Sequence, residues 1–292
     1  MGTIWIIAIS LHLISWILSQ MVLKYLVDKG VSRTKIIPFL YFGCFLTIAT
    51  YNLFLLNFPF RIEYLVVMLI ALLNPYGNLC RISAYKHSLS KTNLVSPLSG
   101  ILITGLSALL LSENVIYNPK TIIGSTFLFG AIFLLSFRPE KGKMVNLNWL
   151  LLALGMIVIE GGTMFSQKYF SSDIPKSTFF LYWYFASTIS ALPILFYREK
   201  ANPTRTSLFR LKEILLIFTA SLFLLGSTVN VYWAFQTAPA GLVEPIRRFG
   251  MAFLPIPIGW IIFKEKKQLT KLQIIGFILG TVGASFIIMG IY

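Results

Sequence analysis

At 292 residues the chain is long enough for two soluble domains, yet 57% of it is hydrophobic and only 12% is charged, against about 25% charged in ordinary soluble domains. That balance excludes a water-soluble fold and makes lipid the solvent for most of the chain. The net charge of +15 raises nucleic acid as a partner, so the placement of the lysines and arginines has to decide that point.

A helix crosses the hydrocarbon core with about 20 apolar residues. Such segments recur at residues 4–26, 36–58, 64–88, 93–112, 119–137, 149–170, 177–197, 213–236, 241–263 and 271–291. They lack the period-two alternation of barrel strands, and an open sheet in lipid would leave its backbone groups unpaired, so ten transmembrane helices are expected. The first segment is too long for a signal peptide and has no basic leader or small-residue cleavage site, so it is read as a true span.

In chain order, the first span carries His12, Trp16 and Gln20 at i, i+4 and i+8, on one helical face. Such a histidine is either a hydrogen-bonded core residue or a proton-coupling group. Trp16 either walls a cavity or packs. Along the third span Asn74, Asn78, Arg81 and Tyr85 follow at i, i+4, i+7 and i+11 among apolar neighbours. A polar stripe of this kind must face the bundle interior or a wet cavity, where it binds substrate or glues helices together. Asn74-Pro75-Tyr76-Gly77 invites a kink beside it. Cys44 and Cys80 both fall within spans, with no CxxC pattern, and read as packing residues.

The sixth span places Glu160 near its middle, followed by Thr163 and Gln167 at i+3 and i+7. A carboxylate at that depth is costly, which makes it a candidate substrate ligand or proton carrier, the alternative being a structural pair with a buried arginine. The eighth span offers Ser227, Asn230 and Trp233 or Ala234 on one face. In the ninth, Arg247 and Arg248 lie about 7 Å from the midplane at 1.5 Å per residue. Adjacent residues point about 100° apart, so at most one of the two faces a narrow cavity squarely. Glu244-Pro245 reads as a helix entrance, with a carboxylate suited to the dipole and a proline suited to the first turn.

Between the spans, alternate loops hold eighteen lysines and arginines on one side and only Arg61, Lys120, Lys168 and Lys176 on the other. The positive-inside rule puts the basic loops in the cytoplasm and both termini outside. Basic loops against anionic lipid account for the charge without nucleic acid.

The break at 138–148 divides the spans five and five, into repeats at 1–137 and 149–292. Leu94-Val95-Ser96-Pro97-Leu98 and Leu242-Val243-Glu244-Pro245-Ile246 open corresponding spans. Ser112-Glu113 and Lys264-Glu265 close them, and Ser19-Gln20 matches Ser166-Gln167. Each half has an odd number of spans, so the second must lie inverted, which is the build of secondary transporters that rock around a site near the midplane. Gly161-Gly162 and the set Gly276, Gly280, Gly283 and Ala284 suit close helix packing.

The whole chain resembles the drug/metabolite transporter superfamily, and within it the ten-span exporters with two EamA-type repeats. The resemblance is carried by Ile82-Ser83-Ala84-Tyr85-Lys86-His87, by Leu110-Leu111-Ser112-Glu113 and by Gly259-Trp260-Ile261-Ile262-Phe263-Lys264-Glu265. Pro245-Ile246-Arg247-Arg248 looks like a Pro-x-Arg pattern of part of the family. That likeness makes Arg247 the candidate cavity residue, with snorkelling or pairing to Glu244 as the other readings. The chain departs from the family where Ser112-Glu113 and Lys264-Glu265 stand in place of the more usual Gly-Glu.

Together these features predict an all-α integral membrane protein with a cavity formed by spans 1, 3, 4, 6, 8 and 9. No nucleotide loop, HExxH or Cys/His metal set is present in the sequence, so no enzyme activity and no cofactor are expected. Substrate binding is expected at Glu160, Arg81, Asn78, Asn74, Arg247, Trp16, Gln20, Gln167, Asn230 and Tyr85, and proton coupling at Glu160 or His12. Arg81 and Arg247 against Glu160 leave the site neutral to positive, which suits an anionic or zwitterionic metabolite. The expected setting is a prokaryotic plasma membrane. The expected partners are that substrate and membrane lipids, with a homodimer left open. A flippase for a lipid-linked sugar and a non-transporting receptor or assembly factor are the alternative readings.

Overall fold

A computed structural model describes residues 4–56, 58–87, 98–113, 118–136, 147–196, 210–254, 257 and 271–289. Every regular element among them is a helix: α1 Ile4–Asp28, α2 Arg33–Phe54, α3 Ile62–Ala71, α4 Asn74–His87, α5 Leu98–Leu110, α6 Pro119–Ser136, α7 Leu147–Phe170, α8 Lys176–Phe196, α9 Leu211–Thr237, α10 Ala240–Phe253 and α11 Lys271–Met289. Each of the ten expected spans contains one of these helices, and the third contains two. Among the described residues five stretches are long and apolar enough to cross a membrane: Ile4–Asp28, Thr34–Phe54, Ile62–Arg81, Leu147–Phe170 and Leu211–Thr237. Large apolar side chains such as Leu109, Val158 and Ile278 stand on the outside of their helices, as lipid requires and water would not tolerate in such number.

The expected kink in the third span is a break, and it has an identifiable cause. Pro75 has no backbone N–H to give to the carbonyl four residues earlier, that of Ala71. The helix stops at Ala71 and restarts at Asn74. Ser187 of α8 donates its hydroxyl to the Ala71 carbonyl at 3.0 Å, so the freed group is satisfied within protein, as the membrane interior demands.

The chain divides into two compact units, each drawing on both sequence halves. One consists of Met1–Ile9, Gly77–Tyr169 and Ala234–Tyr292, and the other of Ser10–Tyr76 and Phe170–Trp233.

In the second unit an apolar cluster of Leu26, Ile36, Leu40, Ile217 and Ala220 ties α1, α2 and α9 together. Small polar side chains seal these helices by donating to backbone carbonyls. Ser19 reaches Ala220 at 3.0 Å and Cys44 reaches Ser221 at 3.3 Å. The Tyr232 hydroxyl lies 2.8 Å from the carbonyls of both Phe170 and Ile174, and so ties α9 to the turn that follows α7, where Phe170 also accepts the Ile174 N–H at 3.0 Å. Cys44 is thus a buried packing residue whose thiol makes only weak hydrogen bonds, in keeping with its position in the sequence.

In the first unit α6 and α11 meet backbone to backbone. A Cβ on Gly124 would lie 2.7 Å from the Gly283 carbonyl, and one on Gly283 would lie 2.7 Å from the Gly124 carbonyl. Gly283 of the last span therefore serves close packing. Gly280 does so as well, since it lies against the Phe249 ring of α10.

Candidate functional site

The polar residues of the first unit converge on one buried cluster. Arg81 projects from α4 and forms an ion pair through Nη2 with Oε1 of Glu160 on α7. The other carboxylate oxygen of Glu160 lies 4.0 Å from Arg248 Nη1 on α10. On the same helix Glu244 receives Arg247 in a two-point fork, at 2.7 Å from Nε and 2.8 Å from Nη2. Arg248 Nε reaches the second Glu244 oxygen at 3.3 Å. Five charged side chains from three helices thus form one chain of ion pairs.

Glycines allow this convergence. A Cβ at Gly100 of α5 would sit 3.2 Å from Arg248 Cγ and 3.5 Å from a Glu244 oxygen. One at Gly77 of α4 would sit 2.8 Å from Ile159, beside Glu160, and one at Gly161 of α7 would meet Leu102 of α5 at 2.6 Å. The Gly161 contact is of the close-packing kind the sequence suggests, whereas Gly77 and Gly100 become recognisable as packing positions only in the fold.

Accessibility within the cluster is graded. Glu244 is fully buried, and the side chains of Arg247 and Arg248 are 5% and 7% exposed, whereas Glu160 is 13% and Arg81 27% exposed. Arg81 is therefore the open face of the cluster. Burial of this depth is tolerable because each carboxylate is engaged by guanidinium groups, whose planar donors match carboxylate geometry. Glu244 lies a full turn inside α10, which starts at Ala240. Its two arginines, and not the helix dipole or a first-turn position, account for its presence.

Of the expected site residues, Glu160, Arg81 and Arg247 belong to this cluster. Asn78 stands on α4 one turn before Arg81, half-buried, and Gln167 is buried on α7 two turns beyond Glu160. The side chain of Tyr85 lies outside the described residues. The remaining candidates, His12, Trp16, Gln20, Asn74 and Asn230, belong to the second unit. His12 there is buried, with Nδ1 at 3.0 Å from the Ser227 carbonyl and 2.9 Å from its hydroxyl. Trp16, Gln20, Asn74 and Asn230 are half-buried.

A second polar junction escaped the sequence reading. Lys168, near the end of α7, lies 2.9 Å from Glu113 Oε1 just past α5. The same ammonium donates to the carbonyls of Phe235 and Ala238 at 2.8 and 3.0 Å, where the dipole of α9 is negative. Glu113 Oε2 in turn accepts the Ala240 N–H at 2.9 Å. Ala240 is the first residue of α10, whose own N-cap, Pro239, offers no side-chain bond. In sequence Lys168 is only one of four sparse loop charges, and Glu113 only a motif letter. That both close spans on the same side was the available signal.

Comparison with known proteins agrees with this architecture. Residues 147–289 match the EamA-like transporter family, a helical membrane fold. Twenty-eight solved chains match the structure. One is a crystal structure of a protein 15% identical to this chain, with a TM-score of 0.73 over 98% of this chain and 96% of that one. None of the curated proteins matches the sequence.

Proposed function

We propose, from the premise that residues 147–289 belong to the EamA-like transporter family, that this integral multi-pass membrane protein is a secondary transporter of a small anionic or zwitterionic metabolite. The observation that carries this reading is the buried ion-pair chain of Arg81, Glu160, Arg248, Glu244 and Arg247. Intramembrane charges are expensive and by default mark a substrate or ion pathway. Here the first sequence half supplies Arg81 and the second half the other four. A site built from both halves suits alternating access, in which repeats 1–137 and 149–292 rock against each other around it. Basic loops on one side orient the chain with its termini outside, and a gradient of substrate or ions drives transport, outward in the sense of the exporters it resembles.

Counterflow into proteoliposomes with a labelled metabolite panel tests this directly. Trans-stimulated uptake of a carboxylate or amino acid, lost in Arg81→Gln, is the expected result. Stabilisation of the purified protein by a cation, with carboxylates inert, would overturn it. Glu160→Gln in the same assay separates the two roles open to that residue. Loss of pH-gradient dependence assigns it the proton, and unchanged dependence leaves it as a binding group.

A further inference from the structure

The ion pairs of the cluster do not balance. Three guanidinium groups face two carboxylates, an excess of one positive charge. The geometry locates that excess. Arg247 holds both oxygens of Glu244 in a close fork, and Arg81 engages one oxygen of Glu160. Among the described residues Arg248 has no carboxylate of its own. It shares a Glu244 oxygen at 3.3 Å with Arg247 and stands 4.0 Å from Glu160, beyond hydrogen-bond length. The charged groups acting on Arg248 are Arg247, Glu244, Glu160 and Arg81, so no further carboxylate offsets it among the described residues. An uncompensated buried charge is costly, and a bound counter-charge removes that cost.

We propose that the face of the cluster formed by Arg81 and Arg248 binds one small monocarboxylate, whose single negative charge completes the set. This deepens the transport reading and rests on it for its biological meaning. A dianion would leave the cluster one charge negative and a zwitterion would leave the excess in place, so net charge, more than shape, sets selectivity. The carboxylate enters at Arg81, the accessible end, and takes donors from the two guanidinium groups that flank Glu160.

The test uses the purified full chain in detergent, with isothermal titration and ligand-induced melting shifts. The probes are succinamate, succinate and succinamide, which match in size and carry one, two and no negative charges at neutral pH. Wild type is expected to bind succinamate at least roughly tenfold more tightly than either of the others. Glu160→Gln and Glu244→Gln each remove one carboxylate, and each is expected to move the succinate-to-succinamate affinity ratio at least about tenfold towards the dianion. Glu244 is fully buried and its variant is prone to unfold, so Glu160→Gln, verified as folded by its melting curve, carries the decision. Failure of succinamate to bind wild type, or an unchanged ratio in folded Glu160→Gln, overturns the inference. Charge-selective binding without counterflow would sink the transport reading and leave the site standing. Counterflow of a zwitterion without monocarboxylate binding would do the reverse.

Discussion

The ammonium of Lys168 and the carboxylate of Glu113 meet at 2.9 Å, and each also serves the turn between α9 and α10. Lys168 takes the last carbonyls of one helix and Glu113 the first N–H of the next. The pair therefore complements two helix dipoles at once. Lys168→Met strands the Glu113 charge and two carbonyls, whereas Glu113→Gln keeps an acceptor for Ala240. Lys168→Met should cost on the order of 2 kcal/mol and Glu113→Gln about half that. A double-mutant cycle on thermal unfolding in detergent checks the coupling, and additive effects would remove the link.

The residue just before that carboxylate is strained. Ser112 has φ 51, in the left-handed region that costs a side-chain-bearing residue about 1–2 kcal/mol. A glycine would adopt this backbone without that cost. Ser112→Gly should stabilise the protein by about 0.5–1 kcal/mol after the added freedom of the unfolded chain is subtracted, and Ser112→Val should destabilise it. Chemical unfolding of the three proteins side by side gives the ordering.

Arg81 and Arg247 should separate function from stability. Arg247→Gln breaks the fork on a fully buried carboxylate and should cost about 3 kcal/mol. Arg81 is the accessible end of the cluster, so Arg81→Gln should change the melting temperature far less while abolishing counterflow. Equal losses of stability in the two variants would contradict this division.

Glycines can be ranked by what a methyl group would strike. At Gly124 it would meet the Gly283 carbonyl at 2.7 Å and the Ile287 nitrogen at 2.9 Å, and backbone has no rotamer to escape into. Gly124→Ala should cost about 1–3 kcal/mol. Gly105 faces open space, and Gly105→Ala should gain up to about 1 kcal/mol from helix propensity. The two melting curves should move in opposite directions.

At the break in the third span, Ser187→Ala leaves the Ala71 carbonyl unsatisfied and should cost roughly 0.6–1 kcal/mol. In a Pro75→Ala background the restored N–H can serve that carbonyl, so the same substitution should cost less. Equal costs in both backgrounds would separate Ser187 from the proline.

Much of the architecture was legible in the sequence, because transfer of apolar helices into lipid depends on composition and length alone. The ten spans, the interruption at Asn74-Pro75 and the inward setting of Glu160 and Arg81 all follow from such local rules. So does the exclusion of a soluble fold. The stripe on the third span likewise announced an inward face, since lipid would strand its donors.

Which charge meets which was a different matter. Arg247 and Arg248 are adjacent and both reach Glu244 one turn away on α10, and only the rotation of α10 against α7 decided that Arg248 is the one that also approaches Glu160. Glycines at 77, 100 and 161 set those approaches, and nothing local tells a packing glycine from an idle one such as Gly105. Lys168 and Glu113 lie fifty-five positions apart and pair only because four helix ends converge. The sequence by itself thus determined that buried charge exists in the membrane and on which helices. Tertiary structure alone decided the pairs between helices, of Glu160 with Arg81 and Arg248 and of Lys168 with Glu113, because these depend on distances across helices that no local pattern encodes, whereas the Glu244 pairs lie at i+3 and i+4 on α10.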